Sequence, residues 1–185
     1  MDKKIILAEA QNFETERLIL RKIELEDASN MFAYHSDPEV MRYMNMKRHE
    51  NLEATQQAIV DFYMTNRLNV WGIEEKNTKK IIGDIYLALK GDKGTFAWLL
   101  NSRYWGLGIM PEAASCLRDF AFDKLALQVI TADHLVENTK SGRVMEKIGM
   151  KKTGQIYEYF KKEKRSVALN YWAITRSDYE KQKAR

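Results

Sequence analysis

The chain is poor in the residues that build metal and disulfide sites: one cysteine and three histidines among 185 residues. A single cysteine, Cys116, leaves no intrachain disulfide framework and no multi-cysteine zinc site. It falls inside a helical pattern between Ala113 and Phe120, where a buried, inert thiol is expected. His35, His49 and His134 are scattered without metal-ligand spacing, so no metal is expected. No apolar run approaches the roughly 20 residues needed to cross a bilayer. Ile5–Ala8, after Lys3 and Lys4, is too short for a secretory signal, so the expectation is a cytoplasmic protein with no membrane partner. The phosphate-binding G-x-x-x-x-G-K-[ST] motif is missing, and the one G-x-G, at Gly106 and Gly108, lacks the third glycine of a dinucleotide fingerprint. Repeats, low-complexity segments and linkers are also missing.

What is present is a foldable composition, 45% apolar and 11% aromatic, which reads as a single domain over residues 1–185 with a real core. Net charge is +4, unevenly spread. From Lys147 to Arg185 there are eleven Lys/Arg against four Asp/Glu, a local +7 that leaves −3 for the rest. Such a basic segment can serve a polyphosphate ligand or RNA, or be a solvated surface.

The organising stretch is Arg103–Glu112, Arg-Tyr-Trp-Gly-Leu-Gly-Ile-Met-Pro-Glu. It lies between an apolar run ending at Leu100 and an amphipathic helix starting near Pro111, so it reads as strand, glycine loop and helix N-terminus. Free amide N–H groups and the positive end of the dipole suit such a loop to a phosphate, and Gly106 and Gly108 suit an ordinary tight turn equally well. The pattern Arg-x-x-Gly-x-Gly at Arg103, Gly106 and Gly108 resembles the acetyl-CoA pyrophosphate loop of the GNAT N-acetyltransferases. Tyr104-Trp105-Gly106 and Glu112-Ala113 are similar to the RimJ/RimL branch, the ribosomal-protein N-terminal acetyltransferases. Two further anchors resemble the same branch: Thr15–Arg21 and Asp37-Pro38-Glu39-Val40.

Periodicity gives the rest in order. A strand spans Glu16–Ile23 with Leu18, Leu20 and Ile23 inward, and short helices cover Glu26–Tyr34 and the Pro38 turn. A long helix over Asn51–Arg67 presents Leu52, Ile59, Phe62 and Tyr63. Strands follow at 70–73, 81–87 and 95–100, then a helix at 111–124, a strand at 129–132, a helix at 138–148 closed by Gly149, and a strand pair at 151–160 and 167–175. A short polar helix or frayed tail follows from Ser177, while residues 1–15 show no clear period. Helix-linked strands favour parallel neighbours and tightly turned ones are antiparallel. The order β, α, α, β, β, β, α, β, α, β, β resembles the GNAT fold: mixed α/β, with a mostly antiparallel, twisted central sheet of about seven strands flanked by helices.

The resemblance implies an acetyl-CoA-dependent N-acetyltransferase. Pantetheine would lie along Trp98, Leu99 and Leu100 through backbone contacts. The loop amides of Arg103, Trp105, Gly106, Leu107, Gly108, Ile109 and Met110 would hold the pyrophosphate. Asn138 would contact pantetheine, and Ser141 would protonate the leaving thiolate at a helix where Met145 stands in place of the tyrosine many members carry. Both Asn138 and Ser141 also suit plain helix capping. The base is open: Thr95 occupies the position of the usual glutamate, Glu158 and Asp84 are candidates, and a water relay serves as well. Glu112 reads as a partner for the helix dipole. His35, Tyr43 and Tyr86 are candidates for the acceptor pocket or for ordinary packing. The acceptor implied is a protein N-terminal α-amine, with a small amine such as a polyamine or antibiotic as the alternative. A different class is a non-catalytic CoA-binding or RNA-associated module. No nucleic-acid partner is expected for the enzyme reading, and monomer and homodimer both remain open.

Overall fold

A computed structural model describes residues 2–10 and 12–184. Its element order is α1 (Lys3–Glu9), β1 (Phe13–Glu14), β2 (Leu18–Arg21), α2 (Ala28–His35), α3 (Pro38–Met41), α4 (Leu52–Ala58), β3 (Val70–Glu75), β4 (Lys80–Lys90), β5 (Lys93–Leu100), α5 (Ile109–Asp123), β6 (Val129–Leu135), α6 (Thr139–Lys147), β7 (Lys151–Phe160), β8 (Arg165–Thr175) and α7 (Arg176–Lys183). One sheet runs β1-β2-β3-β4-β5-β6-β8-β7, with every pairing antiparallel except β5 with β6.

The expected mixed sheet is therefore present, with eight strands rather than about seven. The extra one is β1, two residues long, too short to leave an alternating pattern in the sequence. The same N-terminal stretch, which has no clear period, contains α1, capped by the Asp2 carboxylate and anchored by the fully buried Leu7. The helix expected over 51–67 also differs. Only Leu52–Ala58 is α-helical, and Ile59–Met64 widens into a π turn. That wider turn changes which side chains face in: Ile59 and Tyr63 are buried, while Leu52 and Phe62 are exposed.

The sheet divides two apolar layers. On one face α5 lays Ala113, Leu117 and Ala121 onto Leu18, Leu20, Trp71, Ile85 and Leu87. Phe13 bridges Trp71 and Phe120 edge-on, at 5.7 and 4.8 Å between centroids. On the other face α2, α3 and the π turn at Ile59–Met64 cover Ile23, Val70, Ile81 and Leu99.

A polar cluster is sealed into that second layer. The Tyr34 hydroxyl donates to Asp84 at 2.9 Å, and His35 Nε2 lies 3.0 Å from the Tyr63 hydroxyl and 3.9 Å from Asp84. Burial pushes the Asp84 carboxyl up from 3.8 to about 7, against the opposing pull of the tyrosine hydroxyls. Burial, with the neighbouring His49, pushes His35 down to about 3. An acid raised on folding stabilises the native state fully below its unfolded value and loses that contribution as pH rises through the folded one, here from about 4 to about 7. Asp84→Asn cannot ionise, so the difference in Tm between variant and wild type should move in the variant's favour from pH 5 to pH 8. A difference that stays flat over that window would show that Asp84 does not titrate there.

Candidate functional site

β5 and β6 are hydrogen-bonded side by side at only three positions, Lys93 with Val129, Gly94 with Ile130 and Thr95 with Thr131. The apex is pinned by a 3.0 Å hydrogen bond between the Thr95 and Thr131 hydroxyls. Beyond it the strands part. Phe96–Leu100 pairs only with β4, and Ala132–Leu135 only with β8. The edge of β5 that faces β6 is thus left open, a ready template for an extended ligand that adds itself as a strand. The opening forms a cleft of about 700 Å³ floored by Thr95–Leu100 and flanked by α6.

At the far end of β5 the chain turns through Ser102–Tyr104 and the glycine loop into α5. Gly108 is the N-cap, with φ +78°, and Gly106 has φ +80°. Both occupy left-handed backbone that side chains resist. Trp105, Gly106, Gly108, Ile109 and Met110 line the cleft together with Trp98, Leu99 and Leu100. Two expected residues stand apart. The Leu107 side chain is 57% exposed, pointing outward, although its carbonyl still shapes the loop. Arg103 lies on the short turn and lines a separate smaller cavity with Ser29, Asn30 and Asn101. The Arg103 amide, expected to face the pyrophosphate, instead donates to the Asn101 side chain at 3.1 Å.

The arginine that does reach the loop is Arg17. It donates through Nη1 to the Leu107 carbonyl at 2.9 Å and pairs with Glu112 through Nε at 2.7 Å. Its Nη2 lies 3.5 Å from where a Cβ on Gly108 would stand. Glu112 also accepts from the Arg17 amide and the Thr15 hydroxyl. So Glu112 is more than a dipole partner: it ties the opening strand to the helix that carries the loop. The signal in the sequence was the Thr15–Arg21 anchor, but its partner lies 95 residues away.

Across the cleft, Asn138 caps α6 by accepting from the Ser141 amide at 3.3 Å. Both residues line the cleft, as does the buried Met145. No partner for the Ser141 hydroxyl is found among the described residues, so that hydroxyl is free to serve a ligand. The Lys140 ammonium sits 3.9 Å from the centre of the Trp105 ring, closing α6 onto the loop.

Among the candidate bases, Asp84 is sealed beneath α2 and does not line the cleft. Glu158 is exposed on β7 and does not line it either. The carboxylate that does is Asp133, on β6 two residues past the apex, and sequence reasoning missed it. It is open to the cleft but hemmed in by protein. That loss of hydration pushes its pKa up and the negative charge of Glu158 adds to the effect, against smaller opposing contributions from His134 and the Lys93 ammonium. Its neighbour His134 also lines the cleft but is fully engaged. Nδ1 donates to the Leu135 carbonyl at 2.8 Å, and Nε2 accepts from the Trp172 indole at 3.1 Å. With burial lowering its pKa first of all, His134 is held neutral and has no free lone pair.

The other end of the cleft is walled by Val40, Tyr43, Met44, Leu135, Phe160 and Leu169. Tyr43 is thus at the cleft as expected. His35 and Tyr86 are not: His35 belongs to the buried cluster, and Tyr86 packs on Phe62 at 5.6 Å. Cys116 is half-buried on α5, where burial pushes its thiol up.

Three comparisons bear on this arrangement. A family model described as an acetyltransferase (GNAT) domain matches residues 17–151. The uncharacterized N-acetyltransferase YoaA of Bacillus subtilis (strain 168) is 33% identical over 172 residues, covering 88% of this chain and 96% of that protein. Among solved structures, a GNAT-family acetyltransferase from Bacillus anthracis superposes with a TM-score of 0.82 at 26% identity, over 90% of this chain and 99% of that one. A ribosomal-protein-S5-alanine acetyltransferase from Vibrio fischeri shares the fold, with a TM-score of 0.72 at 23% identity over 90% and 97% of the two chains. No helix among the described residues is long and apolar enough to cross a membrane.

Proposed function

The chain belongs to the acetyltransferase (GNAT) family, and on that premise we propose that it moves the acetyl group of acetyl-CoA onto a primary amine by direct attack, with Asp133 receiving the amine's proton. The observation that carries this reading is the parting of β5 from β6. It leaves an open backbone edge on one side and an unpaired carboxylate on the other, beside the same apex.

The residues fit acetyl-CoA. The open edge at Trp98–Leu100 suits the amide-bearing pantetheine arm, and Gly106, Gly108 and the first amides of α5 suit the pyrophosphate. In the reaction the amine nitrogen bonds to the thioester carbon, whose oxygen takes the negative charge. Unpaired backbone N–H groups of β5 are placed to stabilise that oxyanion. The nitrogen, now cationic and acidic, passes its proton to Asp133. The carbonyl re-forms, the C–S bond breaks, and the thiolate takes a proton from the Ser141 hydroxyl, which is restored from water.

The opening-strand, loop and α6 motifs put forward a protein N-terminal α-amine of the ribosomal-protein type as acceptor. The shared fold with the S5-alanine enzyme accompanies that reading without extending to its substrate. The test is release of free CoA thiol, with acetyl-CoA and a panel of peptides and small amines. Tight acetyl-CoA binding with no thiol release on any amine would favour a non-catalytic CoA-binding module instead. In the same assay Ser141→Ala should lower kcat by about ten-fold or more with little change in the KM for acetyl-CoA. Unchanged turnover would leave Ser141 as part of the α6 cap alone.

A further inference from the structure

We propose that one side of α6, built from Lys140, Arg143 and Lys147, is a second anion site that holds the 3′-phosphate of the CoA donor and so selects CoA over donors that lack this group. This rests on the acetyl-CoA reading above and extends it from the thioester and pyrophosphate to the far end of the donor. Three observations point to it.

The first is how α6 sorts its charges. The helix holds four charged side chains, Lys140, Arg143, Glu146 and Lys147. The three cations line the cleft and the carboxylate does not. At about 100° per residue the cations fall within an arc of about 60°, and Glu146 lies outside it. A face that is merely solvated has no reason to turn its bases to a cleft and its acid away. The row runs about 10 Å along the helix axis, so it extends well past a single contact.

The second is where that arc points. The Lys140 ammonium stands 3.9 Å from the centre of the Trp105 ring, and Trp105 directly precedes Gly106. The cationic side of α6 therefore faces the glycine loop. Ser141 and Met145 occupy the neighbouring arc, where Met145 is buried. Asp133, the one carboxylate among the residues lining the cleft, is beside the β5–β6 apex and not on this helix.

The third is charge without a partner. Among the described residues Lys140, Arg143 and Lys147 are found in no ion pair and no side-chain hydrogen bond, whereas Arg21, Arg67 and Arg118 each hold a carboxylate. The loop amides and the start of α5 suit a pyrophosphate by themselves. Three cations then remain for a further anion. A phosphomonoester carries about −1.5 to −2 charge at pH 7 and offers three acceptor oxygens. The planar fork of Arg143 matches two of them. CoA has one such group, on its ribose 3′ oxygen. Dephospho-CoA and carrier-bound phosphopantetheine have none.

The experiment titrates the full chain with CoA and with dephospho-CoA in a calorimeter, so the readout does not depend on turnover. Wild type should bind CoA about ten-fold or more tightly than dephospho-CoA. That preference should shrink as salt rises from ~20 to ~200 mM, because the three cations are exposed. Arg143→Gln and Lys147→Gln keep good helix formers at exposed positions. Each should weaken CoA several-fold and dephospho-CoA by less than about two-fold, and the double variant should lose most of the preference. Glu146→Gln, off the cleft, should keep it. Equal affinity of wild type for the two ligands would overturn the inference, as would substitutions that weaken both ligands alike. Those outcomes leave the acetyl-CoA reading intact. Absence of binding by either ligand overturns that reading and this inference with it.

Discussion

Asp133→Asn should cost the enzyme about 10²–10³ in kcat, the range expected for losing a positioned general base. Asparagine keeps the shape of the side chain and its place on β6 but cannot take a proton. The KM for acetyl-CoA should change little, because the glycine loop and the α6 cap proposed to hold the donor lie elsewhere in the cleft. The pH profile distinguishes this role from a structural one. In the wild type, the acid limb of kcat/KM reports the base in free enzyme. Burial and then Glu158 raise the Asp133 pKa, so that limb should stand above the value of an ordinary aspartate. Glu158→Gln removes a nearby negative charge, and Asp133 should then ionise more easily. The limb should move to lower pH while most of kcat survives. If instead Glu158→Gln abolishes the limb and Asp133→Asn leaves it in place, Glu158 is the base and Asp133 is a bystander. A profile unaltered in both variants would point to proton loss directly to water.

Gly108→Ala should raise the KM for acetyl-CoA by about ten-fold. Alanine at φ +78° pays the left-handed penalty of about 1–2 kcal/mol, which corresponds to a factor of roughly 5–30. The added methyl meets only the Arg17 guanidinium, at 3.5 Å, so the effect is one of backbone shape rather than of a clash in the core. The loop can relieve the strain by relaxing, and relaxing turns its amides away from the pyrophosphate. kcat should fall less than three-fold or so, since the thioester end of the cleft is untouched. Gly91→Ala is the control. It has φ +61° and open space around it, but it sits at the β4–β5 turn, outside the cleft. It should lower Tm without altering the KM for acetyl-CoA. Equal effects of the two substitutions on KM would mean that Gly108 acts through global stability and that the loop is an ordinary turn.

The half of the cleft proposed for the donor was legible in the sequence as local structure. The glycine loop, a helix start within two residues of Pro111 (α5 begins at Ile109), the Asn138 cap and the alternation of helices and strands are each written in neighbouring residues. Backbone angles, caps and periodicity depend on contacts a few residues apart, so a short window contains the whole signal. Even the mixed character of the sheet follows from connection lengths, since a helix-sized link between β5 and β6 allows them to run parallel.

Only the tertiary structure decided the rest. Arg103 and Arg17 are both arginines near recognisable motifs, but the turn at 102–104 carries one away while the bend before β2 delivers the other beside Gly108. Glu158 and Asp84 are as good as Asp133 on paper. What separates them is where β5 stops pairing with β6, because that boundary makes Asp133 face a cleft while Asp84 is sealed under α2 and Glu158 stays on the outer surface. The acceptor end is the extreme case, with Lys162 holding carbonyls 120 and 121 residues away. Such pairings carry no local pattern. They exist only when the whole sheet has fixed its register, which is why the chain announces its donor plainly and keeps its acceptor for the folded state.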